Sequence, residues 1–516
     1  MNKYIIPLVI SILFLAITLL HIVQINEKFG EYVYPLDDTY IHLATADNLA
    51  NHGVWGVTKH GFTSSSSSPI YPILISGLII LTDWGIYIPL VLNTLFALLL
   101  FYMLFRFSEK EMQSHLWGII LVVGIFILSP ISANIYNGME HLLHILVSIL
   151  FLTSYIIYNK NETHFKYLAL LAFALVCVRY ESIFIIIAFS LIELYEKRYR
   201  KVAIIMAVGV LPIVIYGIIS LMNGDMFLPN SILLKGDAPR NISAALKFPM
   251  KLVGKFIDAP HLAALISLSI FYLIYLYFAK NRSTLLFKLH ILCTLTALMH
   301  IAFAKTGWVY RYESYLMAMY CFTFIFSLKI LFEQYPKLSN RLAFASIFIL
   351  FSIPSVMRYA ESLQNLPQMS KNIHDQQIQM SKFLHAYYDE SSVVLNDIGA
   401  CCYFTSIRLA DMIGLADRDV IQMRIQNNFN KSSIEKLTRE REAKIAIIYV
   451  QGFQDYIPES WLPVAKLKIR DNIGCAYDEV TFFSSSDEIE NVSLLRQNLE
   501  KFKKILPNDV FLEIFK

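Results

Sequence analysis

Asp37 and Asp38 stand side by side in the stretch Tyr34-Pro35-Leu36-Asp37-Asp38-Thr39-Tyr40-Ile41-His42, just after the chain's first apolar segment. Two adjacent carboxylates so close to a membrane span are costly to hold there unless they meet water, a cation or a substrate. Carboxylates suit hard divalent cations such as Mg²⁺ or Mn²⁺, although two of them make a small ligand set. The plain alternative is a solvated juxtamembrane loop. The pair opens a polar, helix-like run that stops at His52-Gly53, followed by a loop that ends in Ser64 to Ser68 and Pro69. That serine tract reads as a mobile loop.

The elements that must position this pair are membrane helices. Of 516 residues 56% are hydrophobic, and the mean hydropathy is +0.51. Soluble domains hold roughly 45–50% apolar residues, and here the excess comes in long runs, so the chain reads as a polytopic membrane protein. The formal net charge of +4 gives no argument for nucleic acid. Six Cys in this length do not make a disulfide framework, and neighbouring Cys401 and Cys402 could pair only with strain. The first apolar run is longer than a signal-peptide core and no small-residue cleavage site follows it, so a retained span is expected.

Crossing a bilayer takes about 20 apolar residues. Segments 5–23, 86–105, 116–133, 141–158, 202–222, 261–279, 285–304, 314–332 and 342–357 meet that rule, and 167–178 with 182–195 reads as a shorter pair meeting at one face. Pro69–Leu81 is short and holds Pro72, which fits an interfacial helix over 69–82. With that helix uncrossed there are about eleven spans, and the Lys/Arg clusters at 3, 106–110, 160–166, 197–201, 280–282 and 329–341 all fall on one side. The expected topology therefore has a cytoplasmic N-terminus and an extracytoplasmic chain after 357. It gives a transmembrane catalytic domain over 1–357, with a first outer loop over 26–68, and an outer domain over 358–516. It also gathers Asp37-Asp38, Asn137-Gly138-Met139-Glu140, Arg179-Tyr180-Glu181, the long loop 223–260 and Arg311-Tyr312-Glu313 on the outer face. Arg179 with Glu181, and Arg311 with Glu313, read either as substrate-binding groups or as ion pairs pinning helix ends. Glu140 reads either as a site residue or as a charge favouring the helix that starts near His141.

The tail is polar and mixed in period. A helix is expected over 369–388, strands over 392–396, 443–450, 464–469 and 480–484, and a Ser-capped helix over 432–442. Alternating helices and strands over roughly 150 residues suggest an α/β domain with its own core.

Leu36-Asp37-Asp38-Thr39-Tyr40-Ile41, then Ala46-Asp47-Asn48-Leu49, Gly53 and Gly61-Phe62-Thr63-Ser64, resembles the first outer loop of the GT-C class of membrane glycosyltransferases, and its arabinofuranosyltransferase-like branch most. Similar segments follow in order: Asn137-Gly138-Met139-Glu140, Val178-Arg179-Tyr180-Glu181, Leu228-Pro229-Asn230-Ser231 with Lys235, Arg311-Tyr312, and Asn396-Asp397-Ile398-Gly399-Ala400 through Asp411 to Gly414-Leu415. The family more often has Pro where Tyr180 and Tyr312 lead into Glu181 and Glu313. The resemblance implies a GT-C-like helical fold, a polyprenyl-phosphate sugar donor, a glycan or glycolipid acceptor, an outer-face active site on a bacterial inner (plasma) membrane and a catalytic acid residue in the first loop.

The chemistry agrees. A lipid phosphate leaves easily, but a hydroxyl acceptor is a poor nucleophile, and a carboxylate can take its proton. Asp37 is expected to be that base and Asp38 to orient the acceptor or hold the cation. Arg179, Lys235, Arg240 and Arg311 are the candidates for the leaving phosphate. His42 lies one turn past Asp38 and either reaches the site or is structural. Asn230 either contacts sugar hydroxyls or makes a turn. Tyr40, Trp55 and Trp308 either stack on a sugar or anchor at the interface. Asp397 and Asp411 either line an acceptor groove or sit beside turns that Gly399 and Gly414 permit. The runner-up is a transporter or lipid-linked-sugar flippase, a class that shows repeats and midplane polar groups. The third reading, a membrane anchor displaying a binding domain, needs far fewer spans.

Overall fold

The computed structural model describes residues 5–235, 242–278, 284–486 and 488–516. They form two compact units. A helical unit takes Met1–Ile22, Pro89–Tyr216 and Lys235–Gln364, and an α/β unit takes Val23–Ile88, Gly217–Leu234 and Asn365–Lys516. This corrects the expected division at 357, because the first loop packs with the tail.

In the helical unit the expected spans fall on helices, except that 116–133 is divided between His115–Leu128 and Ile131–Tyr136. Seven described helices, among them His141–Lys160, Pro260–Phe278, Leu285–Phe303 and Ser314–Gln334, are long and apolar enough to cross a membrane. Others are shorter than a crossing needs, such as the 14 residues of His115–Leu128 and of Phe165–Val178. The segment read as a loop over 223–260 holds helices Asn230–Lys235 and Ile242–Asp258.

The α/β unit is built on a mixed six-stranded sheet, in the order β2-β1-β3-β5-β4-β6. Its strands are β1 (Ser392–Leu395), β2 (Arg408–Asp411), β3 (Ile445–Ile448), β4 (Leu462–Ile469), β5 (Glu479–Ser484) and β6 (Val510–Ile514). β1 pairs in parallel with β2 and β3, and the remaining pairings are antiparallel. β3 reads Ile-Ala-Ile-Ile and is buried throughout, as a central strand covered on both faces must be. Val394, Ala446, Ile448, Trp461 and Phe483 share one apolar core. The helix over Lys431–Glu440 is capped two residues earlier than expected: Asn430 and Ser433 close a reciprocal box, so the cap is Asn430 and not Ser432.

Two helices of this unit matter most. Asp37–His52 ends at Gly53, whose φ of 67° lets its N–H reach back to the carbonyls of Asn48 and Leu49. Gly399–Phe404 is the crossover between β1 and β2, and it packs along Asp37–His52. Ile70–Leu81 packs on Asp37–His52 as well. The serine tract is not mobile. Ser64, Ser65, Ser66 and Ser68 are buried, and the Ser64 amide donates to Asp225 at 2.9 Å.

Candidate functional site

Parallel strands create a crevice outside their carboxyl ends where neighbouring connections diverge, and ligands favour that place. In this sheet the crevice lies between β1 and β3. Asp397 stands two residues past the end of β1 and Tyr449 one past the end of β3. They meet there: the Tyr449 hydroxyl is 2.6 Å from Asp397 Oδ2. Asn396 holds the crevice's floor by accepting the Tyr449 amide at 2.8 Å.

Asp37 enters the same place. The amides of Gly399 and Ala400, at the free N-terminus of their helix, donate to its two carboxylate oxygens at 2.7 and 2.8 Å. A helix N-terminus favours an anion, so the sequence separation of 362 residues is closed by a carboxylate on a dipole. The fit also explains Gly399. Its φ is ordinary, but a Cβ there would collide with the Asp37 carbonyl oxygen and sit 2.9 Å from the Asp37 carboxyl carbon. Gly399 is thus a close-approach glycine, and not a turn residue as one of the two sequence readings had it. Gly414 is the turn residue, with φ of 87°. Gly399→Ala is expected to force the two helices apart at a cost of about 1–3 kcal/mol. A thermal melt of the full chain checks this, with Ala400→Ser as the control that adds no Cβ.

Burial first, then the Asp397 charge, push the Asp37 carboxyl up to about 8, against the pull of the Ala400 and Gly399 amides, and Asp38 adds to the rise. Burial raises Asp397 too, with Asp38 again adding to it and the Tyr449 and Gln377 bonds opposing. Two carboxyls coupled this way hold protons as a pair.

The groups around Asp397 are held in fixed orientations. Tyr449 has one hydroxyl hydrogen and two oxygens at 2.6 Å, Asp397 Oδ2 and Gln376 Oε1. The Gln376 amide is oriented, since its Nε2 donates to the Tyr477 carbonyl at 3.1 Å. Gln377 is oriented as well: its Oε1 accepts from the Cys475 thiol at 3.3 Å, and its Nε2 donates to Asp397 at 2.8 Å. An amide oxygen carries no hydrogen. The hydroxyl hydrogen can serve only one of them at a time, Asp397 or Gln376, while the two N–H groups on Asp37 favour its charged form. Gln376 and Gln377 face inward from a single π turn, His374–Ile378, inserted in an otherwise α-helical run.

Folding therefore raises the proton affinity of Asp37 and Asp397, and burial lifts Asp411 to about 7. A raised carboxyl pKa stabilises the fold fully at low pH, and that contribution is lost as pH climbs through the folded value. The intact protein is expected to melt lower at about pH 9 than at about pH 6, and Asp397→Asn to shrink the difference.

Several expected site residues sit elsewhere. Tyr40 is fully buried among Tyr34, Tyr403 and Phe404, so it cannot stack on a sugar. His42 is buried with its ring edge-on to Tyr71 at 5.4 Å. Asn230 is buried and ties backbones, its N–H to Ser64 at 2.8 Å and its side chain to Leu415 at 3.3 Å. Asp411 is buried, and its oxygens accept the amides of Ile413 and Ala416, which builds a turn and lines no groove. The side chain of Lys235 and all of Arg240 lie outside the described residues. Among the described residues no group of three or more His, Cys, Asp or Glu is arranged to hold a metal. Asp37, with an amide on each oxygen, is a poor start for one. A polar cleft of about 180 Å³ opens farther along helix Asp37–His52, lined by Asp47, Asn48, Lys59, Asp389, Tyr403 and Ser406 among others.

In the helical unit the span-end motifs form two buried clusters. Arg179, at the end of Phe165–Val178, bonds Glu140 and also donates to His141 at 2.9 Å and Glu181 at 2.6 Å. Glu140 makes no side-chain cap; it is an ion-pair partner. Glu313 pairs with Arg358 and His261, and not with Arg311 as expected. The Arg311 guanidinium lies 4.9 Å over the Tyr312 ring and donates to the Tyr312 hydroxyl at 3.2 Å. Gly307, Trp308, Val309 and Tyr310 just before it all have left-handed φ, of 78°, 32°, 53° and 62°. Left-handed backbone costs roughly 1–2 kcal/mol per non-glycine residue. Asn137 donating to the Val309 carbonyl, Ser314 to that of Tyr310, and Glu313 accepting the Gly307 amide hold the turn. Asn137 of the Asn-Gly-Met-Glu motif thus serves the loop that presents Arg311.

Sequence reasoning missed Tyr449, Gln376, Gln377, Asp225 and Arg358. The position just past an apolar strand end was a usable signal for Tyr449. The π turn leaves none.

The family described as "Domain of unknown function (DUF8728)" matches residues 371–483, which run from the π turn almost to the end of β5. No curated protein sequence matches. The fold is similar to the crystal structure of ArnT from Cupriavidus metallidurans bound to undecaprenyl phosphate, at 12% identity over 92% of this chain and 97% of that one, TM-score 0.46. Its apo state gives 11% identity over 94% and 98%, TM-score 0.49. The Archaeoglobus fulgidus oligosaccharyltransferase complex with zinc and sulfate gives 13% identity over 93% and 71%, TM-score 0.45.

Proposed function

We propose that this chain is a membrane glycosyltransferase that moves a sugar from a polyprenyl-phosphate-linked donor to an extracytoplasmic glycan or glycolipid, with Asp37 as general base. The observation that carries the reading is the Asp37 carboxylate, held by two amides beside Asp397 in the crevice between β1 and β3, with a proton affinity near working pH. A base matched to the working pH is the most effective one. The Gly399 and Ala400 amides favour the charged form of Asp37. Asp38 orients the acceptor, and the cleft by Asp47 and Tyr403 offers further polar contacts for a glycan.

The test uses a product common to every sugar. Membranes carrying the chain are given a panel of polyprenyl-phosphate sugars, and free polyprenyl phosphate is measured. Release that depends on both the chain and an added glycan acceptor supports the reading. Transport of the intact lipid-linked sugar with no release overturns it.

A further inference from the structure

Helix Ile242–Asp258 presents two different sides, and only one is occupied by protein. On the occupied side Phe248 stacks on Phe303, with ring centroids 6.2 Å apart. Lys255 donates to the carbonyls of Ile301 at 2.8 Å and Ala304 at 2.7 Å. Those carbonyls close helix Leu285–Phe303, whose last turn lacks partners of its own, so a cation there both satisfies and neutralises the helix end. Lys255 therefore fixes the rotation of its helix. With Phe248 and Lys255 turned inward, Met250, Val253 and Ile257 come out on the opposite side, three and four residues apart. They are 81%, 60% and 71% exposed. Lys247, Lys251 and Asp258 form an exposed strip along one border of that stripe.

What covers the stripe follows from where the helix ends. One residue past Asp258 the chain enters Pro260–Phe278, a helix long and apolar enough to cross a membrane. That helix leaves Phe271 63% and Phe278 78% exposed, as a lipid-facing surface does. A stripe tethered so closely to a span cannot leave the membrane surface. Its apolar side chains and bordering lysines match a layer that is hydrocarbon below and phosphate above. We propose that helix Ile242–Asp258 lies in the headgroup layer of the bilayer, with Met250, Val253 and Ile257 in the acyl region and Lys247 and Lys251 on the phosphates of anionic phospholipids. This claim is independent of the transferase reading.

The test uses the full chain in nanodiscs of phosphatidylcholine and phosphatidylglycerol. Five of the six native cysteines are buried and Cys177 is partly so, and a Cys177→Ser background leaves an introduced thiol as the accessible one. An environment-sensitive fluorophore on Met250→Cys is expected to emit blue-shifted light, to be quenched several-fold more by acyl-chain spin-labelled lipid than by aqueous iodide, and to behave oppositely to the same label on Asp258→Cys. Strong iodide quenching at 250 overturns the proposal, and so does shielding from both quenchers, which would mean that protein covers the stripe. For the headgroup part, Lys247→Gln with Lys251→Gln is expected to lower the phosphatidylglycerol retained through detergent purification. Equal retention overturns that part. A milder Val253→Cys label gives the same readout if the Met250 variant folds poorly.

Discussion

Asp37→Asn is expected to lower sugar transfer roughly 100- to 10,000-fold, the usual contribution of a positioned proton acceptor. An amide cannot take the acceptor's proton. It also turns one NH₂ toward the Gly399 or Ala400 amide, so one of the bonds at 2.7 and 2.8 Å is lost, and a structural loss of about 1–3 kcal/mol accompanies the chemical one. Two measurements separate these effects. The melt reports the structural part, and transfer below the melting range reports the chemistry. Asp38→Asn, assayed in parallel, tests the division of labour: transfer should fall less, and through weaker acceptor use. Full activity in both variants would remove the carboxylate base from the mechanism.

The second large effect belongs to the helical unit. Arg179→Met should destabilise it by about 3–5 kcal/mol, because the buried Glu140 loses the arginine it is paired with. Glu140 is 1% exposed and Arg179 5%, so water cannot take over the role. The fraction that stays folded on heating in mild detergent reports the loss. Adding Glu140→Gln should recover much of it, since neutralising the orphan removes the main penalty. If the double variant is no better than the single one, the pair is not what holds the two span ends. A phosphate role for Arg179 predicts another pattern: transfer would stay low in the double variant even where stability returns.

Periodicity made the membrane helices and most of the sheet legible in the sequence. Apolar runs of 14 to 21 residues mark the helices whatever their neighbours, and β3 is apolar at all four positions. β2 and β6 were missed. Arg408–Asp411 is a short edge strand with its first residue exposed, and Val510–Ile514 alternates in burial at the opposite edge but turns the apolar Phe511 outward, so neither shows a clear pattern in sequence. The site was half legible. Carboxylates near a span announce themselves by their cost, which is how Asp37 was found. What holds it does not, because two backbone amides give no residue-type signal. Gly399 was visible as a glycine, but a close approach and a turn look the same in sequence. Tyr40 shows the opposite case: an aromatic beside the carboxylate pair suggested a platform or an interfacial anchor, and tertiary packing made it core.

The bond between Asp37 and the amides of Gly399 and Ala400 also sets a timetable. At roughly 5–20 residues per second of synthesis, the 362 residues between the partners separate their emergence by roughly 20–70 s. Throughout that interval helix Asp37–His52 and its neighbour Ile70–Leu81 have been made, and Gly399–Phe404 has not. Every helix of the membrane unit is inserted before the crevice between β1 and β3 can exist. A nascent or truncated chain is therefore unfinished, and its carboxylate centre is completed only once the tail has been made and folded.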